Sequence, residues 1–136
     1  MTTEYLLERE MDHVLAALTP SNRLVCEVCL HTGLRVGDVV ALETQRIGRQ
    51  FWVVEAKTKK RRRVNLPGVL LRQLLAQAGP VWVFPGRDPA KHRTRQAVWA
   101  DVKRAAKAFR IKQNVAPHSF RKVYAVELLR RCGDVK

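Results

Sequence analysis

The stretch AKTKKRRRVNLP, residues 56–67, sets six cations in seven consecutive positions, Lys57 to Arg63. Like charges at that density repel one another, and such blocks are ordinarily solvated and disordered. The flanks restrict this one. FWVV (51–54) precedes it and VNL (64–66) follows it, both short β-branched or aromatic runs of the kind that form strands. The block is therefore expected to form the tip and second arm of a β-hairpin held out towards a polyanion.

The charge is unevenly spread. Residues 1–55 carry a net −3, whereas 56–126 hold 18 Lys/Arg against only Asp88 and Asp101, out of a chain total of +14. One segment thus carries the whole positive field, the footprint expected of nucleic-acid binding. A membrane partner is not expected. No helix pairs a basic face with large exposed aromatics, no apolar run approaches the roughly 18 residues a span needs, and no charged-then-apolar leader opens the chain. A length of 136 residues and a 46% apolar composition suit one soluble globular domain. Cys26 and Cys29 have CxxC spacing but fall within an apolar helical pattern (Leu24, Val25, Val28). Buried reduced thiols are expected there, in a reducing cytoplasm, with a zinc or redox site as the alternative.

Leu7, Met11, Val14, Leu15 and Leu18 lie on one helical face. Thr19-Pro20 ends that helix and starts a second, with Thr19 as N-cap, running to about Thr32 with Gly33 as C-cap. A short helix follows over 36–42. Residues 44–66 read as three short antiparallel strands with turns near Gly48 and in the basic block. Pro67 opens a helix with a Leu70, Leu71, Leu74, Leu75 stripe, closed by Gly79-Pro80. VWVF (81–84) reads as a buried extended piece and PGRDPAKHRTR (85–95) as a basic loop. A helix over about 96–110 buries Val98, Val102, Ala105 or Ala106, and Phe109, and a last helix starts at Pro117. The expected fold class is α+β, mostly α-helical: one helical domain with a small antiparallel three-stranded sheet.

Three places hold polar groups that a core would not select. Arg35 in HTGLRVGD (31–38) follows a glycine break between apolar helices; taken alone, it reads as held by Asp38, three residues on. In PHSFRK (117–122), His118 and Arg121 share one face at a helix start, where unpaired N–H groups favour an anion; taken alone, His118 reads as a surface histidine. Lys57 stands where a strand ends and the basic turn begins. It reads either as one of six interchangeable cations or as a lysine able to donate a proton.

TGLRVGD, then AKTKKRRRVNL, then VFPG, then PHSFRK, in this order and spacing, resembles the catalytic domain of the tyrosine recombinase (phage integrase) family over residues 5 to 134. The resemblance implies that Arg35 and Arg121 clamp the scissile phosphate and that His118 contacts it and assists proton transfer. It further implies that Lys57 protonates the departing 5′ oxygen and that Asp38 supports the site. Lys59, Lys60, Arg61, Arg62, Arg63, Arg93 and Arg95 are the expected DNA-binding cations. Double-stranded DNA is the implied partner, with other recombinase subunits, in a bacterial or phage-derived cytoplasmic protein. No metal or cofactor is expected, since no carboxylate cluster stands in the sequence to hold one.

The family's second histidine or tryptophan and its tyrosine nucleophile stand downstream of HxxR. Neither Tyr5 nor Tyr124 occupies that position, and both read as core or interfacial residues. The expectation is a C-terminally truncated catalytic domain, also without an N-terminal DNA-clamping domain. It would perform strand cleavage and rejoining through a phosphotyrosine link only with the missing segment. The rival expectations are a non-catalytic DNA-binding or regulatory relic of a recombinase and, more distantly, an RNA-binding protein. The last lacks an aromatic single-strand platform.

Overall fold

The computed structural model describes residues 8–108, with side chains from residue 12 onward. Expectations for Tyr5, Leu7, Phe109, His118, Arg121 and Tyr124 lie outside the described residues, and that for Met11 outside the described side chains.

Helix α1 (Glu8–Ala17) buries Val14 and Leu15, and Leu18 follows them into the core just past its end. Helix α2 (Pro20–Thr32) starts with Pro20 in its first turn, where a missing N–H costs nothing. It buries Val25, Cys26, Val28 and Cys29 at helical spacing. It ends at Gly33, whose φ of 71° lies in the left-handed region, with the Gly33 N–H donating to the Cys29 carbonyl at 2.9 Å. Helix α3 (Val36–Val40) follows at once and buries Val36, Val39 and Val40.

Strands β1 (Gln50–Val54) and β2 (Arg61–Asn65) pair antiparallel, with Trp52 opposite Arg63 and Val53 opposite Arg62. Two strands, not three, form the sheet among the described residues. The segment expected as the first strand turns at 44–46, where Arg46 N–H meets the Glu43 carbonyl at 3.0 Å. Leu42 to Thr44 instead lie beside the 81–84 segment: Val83 N–H donates to Leu42 O at 3.0 Å and Thr44 N–H to Val81 O at 2.9 Å. The Thr44 hydroxyl adds a bond to Gly79 O at 2.7 Å. The polar Thr-Gln-Arg run offers no alternating apolar face to hold it as a strand, so these local bonds prevail.

Helix α4 (Gly68–Gln77) buries Leu70 and Leu74, but Leu75 is 47% exposed, against the expected four-leucine stripe. A turn of about 100° per residue carries Leu75 past the edge of the face centred on Leu70 and Leu74. Helix α5 (Arg95–Ala108) buries Val98, Val102, Ala105 and Ala106 and packs on α1, α2 and α3. Val83 and Phe84 complete the core. Cys26 and Cys29 are buried in it as thiols, and burial, then neighbouring Cys29, pushes the Cys26 group well above its ordinary range, keeping it protonated. Among the described residues no cluster of His, Cys, Asp or Glu could hold a metal ion, and no helix is long and apolar enough to cross a membrane.

Asp101 ties α5 to the α1–α2 junction. Thr19, expected to cap α2, uses its hydroxyl otherwise: its Oγ1 at 3.2 Å and its N–H at 3.1 Å both donate to Asp101 Oδ2. Asn22 Nδ2 donates to the same oxygen at 2.9 Å, and Arg104 donates to Oδ1 through Nε at 3.0 Å and Nη2 at 2.6 Å. Burial pushes the Asp101 carboxyl up, but these hydrogen bonds and the Arg104 charge outweigh it and hold the group below its ordinary 3.8. A depressed folded-state pKa stabilises fully above the unfolded value and less as pH falls through the folded one. Asp101→Ala should therefore lower stability by about 2–3 kcal/mol at neutral pH, read from urea midpoints. The wild-type advantage should shrink as the pH is taken below 3.8.

Candidate functional site

Arg35 is placed by two apolar anchors. Leu34 is fully buried before it and Val36 is buried after it, so the chain cannot slip. The Thr32 hydroxyl, itself bonded to Val28 O at 2.7 Å, accepts the Leu34 N–H at 3.1 Å and tightens the reversal after Gly33. Arg35 caps α3 with extended backbone (φ −72°, ψ 149°), and its Nη1 lies 3.4 Å from Glu55 Oε2. The expected Arg35–Asp38 pair is absent from the described contacts. Arg35 stands ahead of the helix, not within it, so one-turn spacing does not bring the two groups together. Asp38 Oδ1 instead accepts the Ala56 N–H at 3.1 Å, and its buried Oδ2 has no hydrogen-bond partner among the described residues.

The hairpin loop is closed at its base by Glu55, whose N–H donates to Lys60 O at 2.9 Å and whose carbonyl accepts the Lys59 N–H at 2.8 Å. Lys59 takes a φ of 62°, a left-handed conformation costing a side-chain-bearing residue about 1 kcal/mol or more. Lys57, Lys59 and Lys60 are exposed on this loop. Along β2 the cations alternate. Arg61 and Arg63 face outward, with Arg61 over the Trp52 ring at 4.7 Å and Arg63 Nη2 donating to Gln50 Oε1 at 2.5 Å.

Arg62 faces inward. It donates to Gly33 O at 3.2 Å and to Thr32 O, and lies 3.9 Å from Glu55 Oε2, so it caps the carbonyl end of α2. Arg93 is likewise turned into the protein: its Nη1 donates to Ser21 Oγ at 2.6 Å and Asn22 Oδ1 at 2.8 Å. Burial lowers its pKa, with Asp101 opposing. Both stand among the expected DNA-binding cations, and in the described structure both guanidiniums are held by acceptors at the two ends of α2. The period of two in a strand is the signal for Arg62, because Val64 inward requires Arg62 inward.

Arg35, Asp38 and Lys57 line one cleft of about 620 Å³, with Arg95, Gln96 and Trp99 of α5 on its other wall. Trp99 is 48% exposed, and Lys103 Nζ lies 5.1 Å from its ring centre. Cations on the rim of a partly apolar cleft suit an anionic ligand with flat or apolar parts. His118 and Arg121 lie outside the described residues. Sequence spacing does not single out Glu55 or Trp99. The signal for Glu55 is its isolation, since no further acid follows it until Asp88; Trp99 sits next to core residue Val98, where an aromatic side chain raises no question.

The model of the phage integrase family matches residues 4–136. The chain belongs to the phage integrase family. Its relatives include an integrase/recombinase of Sinorhizobium fredii, 33% identical over 93% of this chain and 44% of that protein. The integrase of Escherichia phage P2 is 29% identical over 85% and 35%, and a tyrosine recombinase of Thermosipho africanus is 28% identical over 98% and 50%. The chain thus spans half or less of the length of these relatives. Its fold is that of the lambda integrase catalytic core, with a TM-score of 0.83 at 18% identity over 96% of this chain and 85% of that one. A lambda integrase tetramer bound to a Holliday junction gives 0.77 at 19% identity over 96% and 44%.

Within this integrase fold the inward and outward cations of the hairpin separate by stability. Arg62→Ala should lower the urea midpoint by the equivalent of about 1–3 kcal/mol, because it strips buried carbonyls of their donor. Lys60→Ala, on the exposed loop, should change it by under about 0.5 kcal/mol.

Proposed function

We propose that this chain binds double-stranded DNA and grips one phosphodiester with Arg35, Lys57 and, from beyond the described residues, His118 and Arg121. The activity served would be site-specific strand cleavage and rejoining. The observation that carries the reading is the meeting of Arg35, Lys57 and Arg95, from three distant parts of the chain, on one cleft.

The chemistry follows from charge. A phosphodiester gains negative charge as it becomes five-coordinate, and guanidinium forks meet its non-bridging oxygens while a cationic frame is already in place. The leaving alkoxide is strongly basic, so a proton delivered by Lys57 supplies what electrostatics alone does not. Asp38 supports the arm by holding the Ala56 N–H next to Lys57. Lys59, Lys60, Arg61, Arg63 and Arg95 would neutralise flanking phosphates, contacts that position the duplex without reading it. Further recombinase subunits are the proposed protein partners, in line with the tetrameric assembly of the lambda relative. Neither Tyr5 nor Tyr124 is the proposed nucleophile, since neither follows the HxxR motif at the family's spacing.

Binding of a labelled duplex should be steeply salt-dependent, with a log–log slope of roughly −5 if about six phosphates are engaged. Lys59→Ala and Lys60→Ala should each reduce that slope by about one. Arg35→Ala should cost more affinity at equal salt than either lysine change. Equal losses would favour a non-catalytic DNA-binding relic. With a nicked suicide duplex, the 136-residue chain alone should form no covalent adduct; an adduct mapped to Tyr5 or Tyr124 would overturn the nucleophile assignment.

A further inference from the structure

Glu55, beside the cleft, has no task in the chemistry above. Its side chain is only 12% exposed, yet it stands among the densest positive charge of the chain. On one oxygen, Oε2, it meets Arg35 Nη1 at 3.4 Å and Arg62 Nη1 at 3.9 Å. On the other, Oε1, it accepts the Thr58 hydroxyl at 3.2 Å. The backbone of the same residue closes the loop that carries Lys57, through the bonds to Lys59 and Lys60. Arg62 is in turn fixed on the Thr32 and Gly33 carbonyls. A continuous line of contacts therefore runs from the end of α2 through Arg62 and Glu55 to Arg35, with a branch to the Lys57 loop.

We infer that Glu55 is a positioning residue, setting the Arg35 guanidinium and the Lys57 loop in one register for a DNA phosphate; this rests on the phosphate site proposed above. Two physical points support it. A long arginine side chain loses rotamer freedom when it grips a ligand, and one already tethered at a single nitrogen loses less. Glu55 engages Arg35 through Nη1 alone, and the guanidinium lines the cleft. The carboxylate would repel a phosphate were it naked, but two flanking guanidiniums leave the Arg35–Glu55–Arg62 group with net positive charge. Fixed orientation is thus obtained without giving up attraction.

The sign of the effect is what makes the inference testable. Removing a negative charge from a strongly cationic protein should, by bulk electrostatics, tighten binding to DNA. Glu55→Gln in the full chain should do the opposite. Measured by anisotropy with a fluorescein-labelled duplex at fixed salt, it should bind about tenfold more weakly. Glu43→Gln, at the exposed Glu43–Arg46 pair, removes the same charge elsewhere and should bind as tightly as wild type or more so. In an Arg35→Ala background, Glu55→Gln should cost nothing further, because the amide oxygen can still accept the Thr58 hydroxyl and the loop-closing bonds of residue 55 are made by its backbone.

Glu55→Gln behaving like Glu43→Gln would overturn the inference. So would an equal loss with and without Arg35, which would mark Glu55 as a residue of general stability only. If Glu55→Gln does not fold by circular dichroism, Glu55→Asp carries the same cycle with the charge retained on a shorter arm. Its affinity loss should again require Arg35. Arg35→Ala binding like wild type would sink the phosphate site itself, separately from anything Glu55 does.

Discussion

The constraint on which the rest depends is the disposal of positive charge: a segment this cationic folds only if each guanidinium and ammonium has a place. Three solutions coexist. Lys57, Lys59 and Lys60 stay in water on the hairpin loop. Arg61 and Lys103 lie on the faces of Trp52 and Trp99, where the ring quadrupole attracts a cation that remains partly solvated. Arg62, Arg93 and Arg104 turn onto carbonyls and carboxylates of the frame. The charge that repels in the unfolded chain becomes, in the last group, hydrogen bonding between segments.

Helix α2 is the beam that these contacts hold. Its start is gripped by Asp101, through Thr19 and Asn22, and by Arg93, through Ser21 and Asn22. Its carbonyl end is gripped by Arg62, where a cation also complements the helix dipole. Arg35 follows that end directly, so its position inherits the rigidity of the helix behind it. On the hairpin side, Asp38 Oδ1 holds the Ala56 N–H and Glu55 holds Arg35, two carboxylates joining the arm to the frame from opposite sides. The proposed phosphate grip would need groups held in place before the ligand arrives, and this bracing is of that kind.

Much of this was legible along the chain because it is local. The Gly33 stop, the Pro20 start, the hairpin around the basic block and the buried faces of α2 and α5 follow from propensities and periods acting within a few residues. The convergence of Arg35 and Lys57 was legible only through resemblance to a family whose motifs occur in that order. What escaped reading was non-local. Leu42 to Thr44 associate with 81–84, far along the chain, in place of forming a third strand. Leu75 looks like a core residue until the face it would need is taken by Leu70 and Leu74.

The sequence by itself determined most of the described elements, the site of the positive field and the family, since these reside in composition, spacing and short-range order. Only the tertiary structure decided which cations are turned onto the protein's own acceptors. Arg62 and Arg93 look like Arg61 and Arg95 in a string of letters, and differ because a buried carbonyl or side-chain acceptor stands within reach of the first two. A buried acceptor must be satisfied, and the nearest guanidinium does so whatever its charge suggested. The partner of Arg35 was decided in the same way: Glu55, brought by the hairpin, and not Asp38, three residues on.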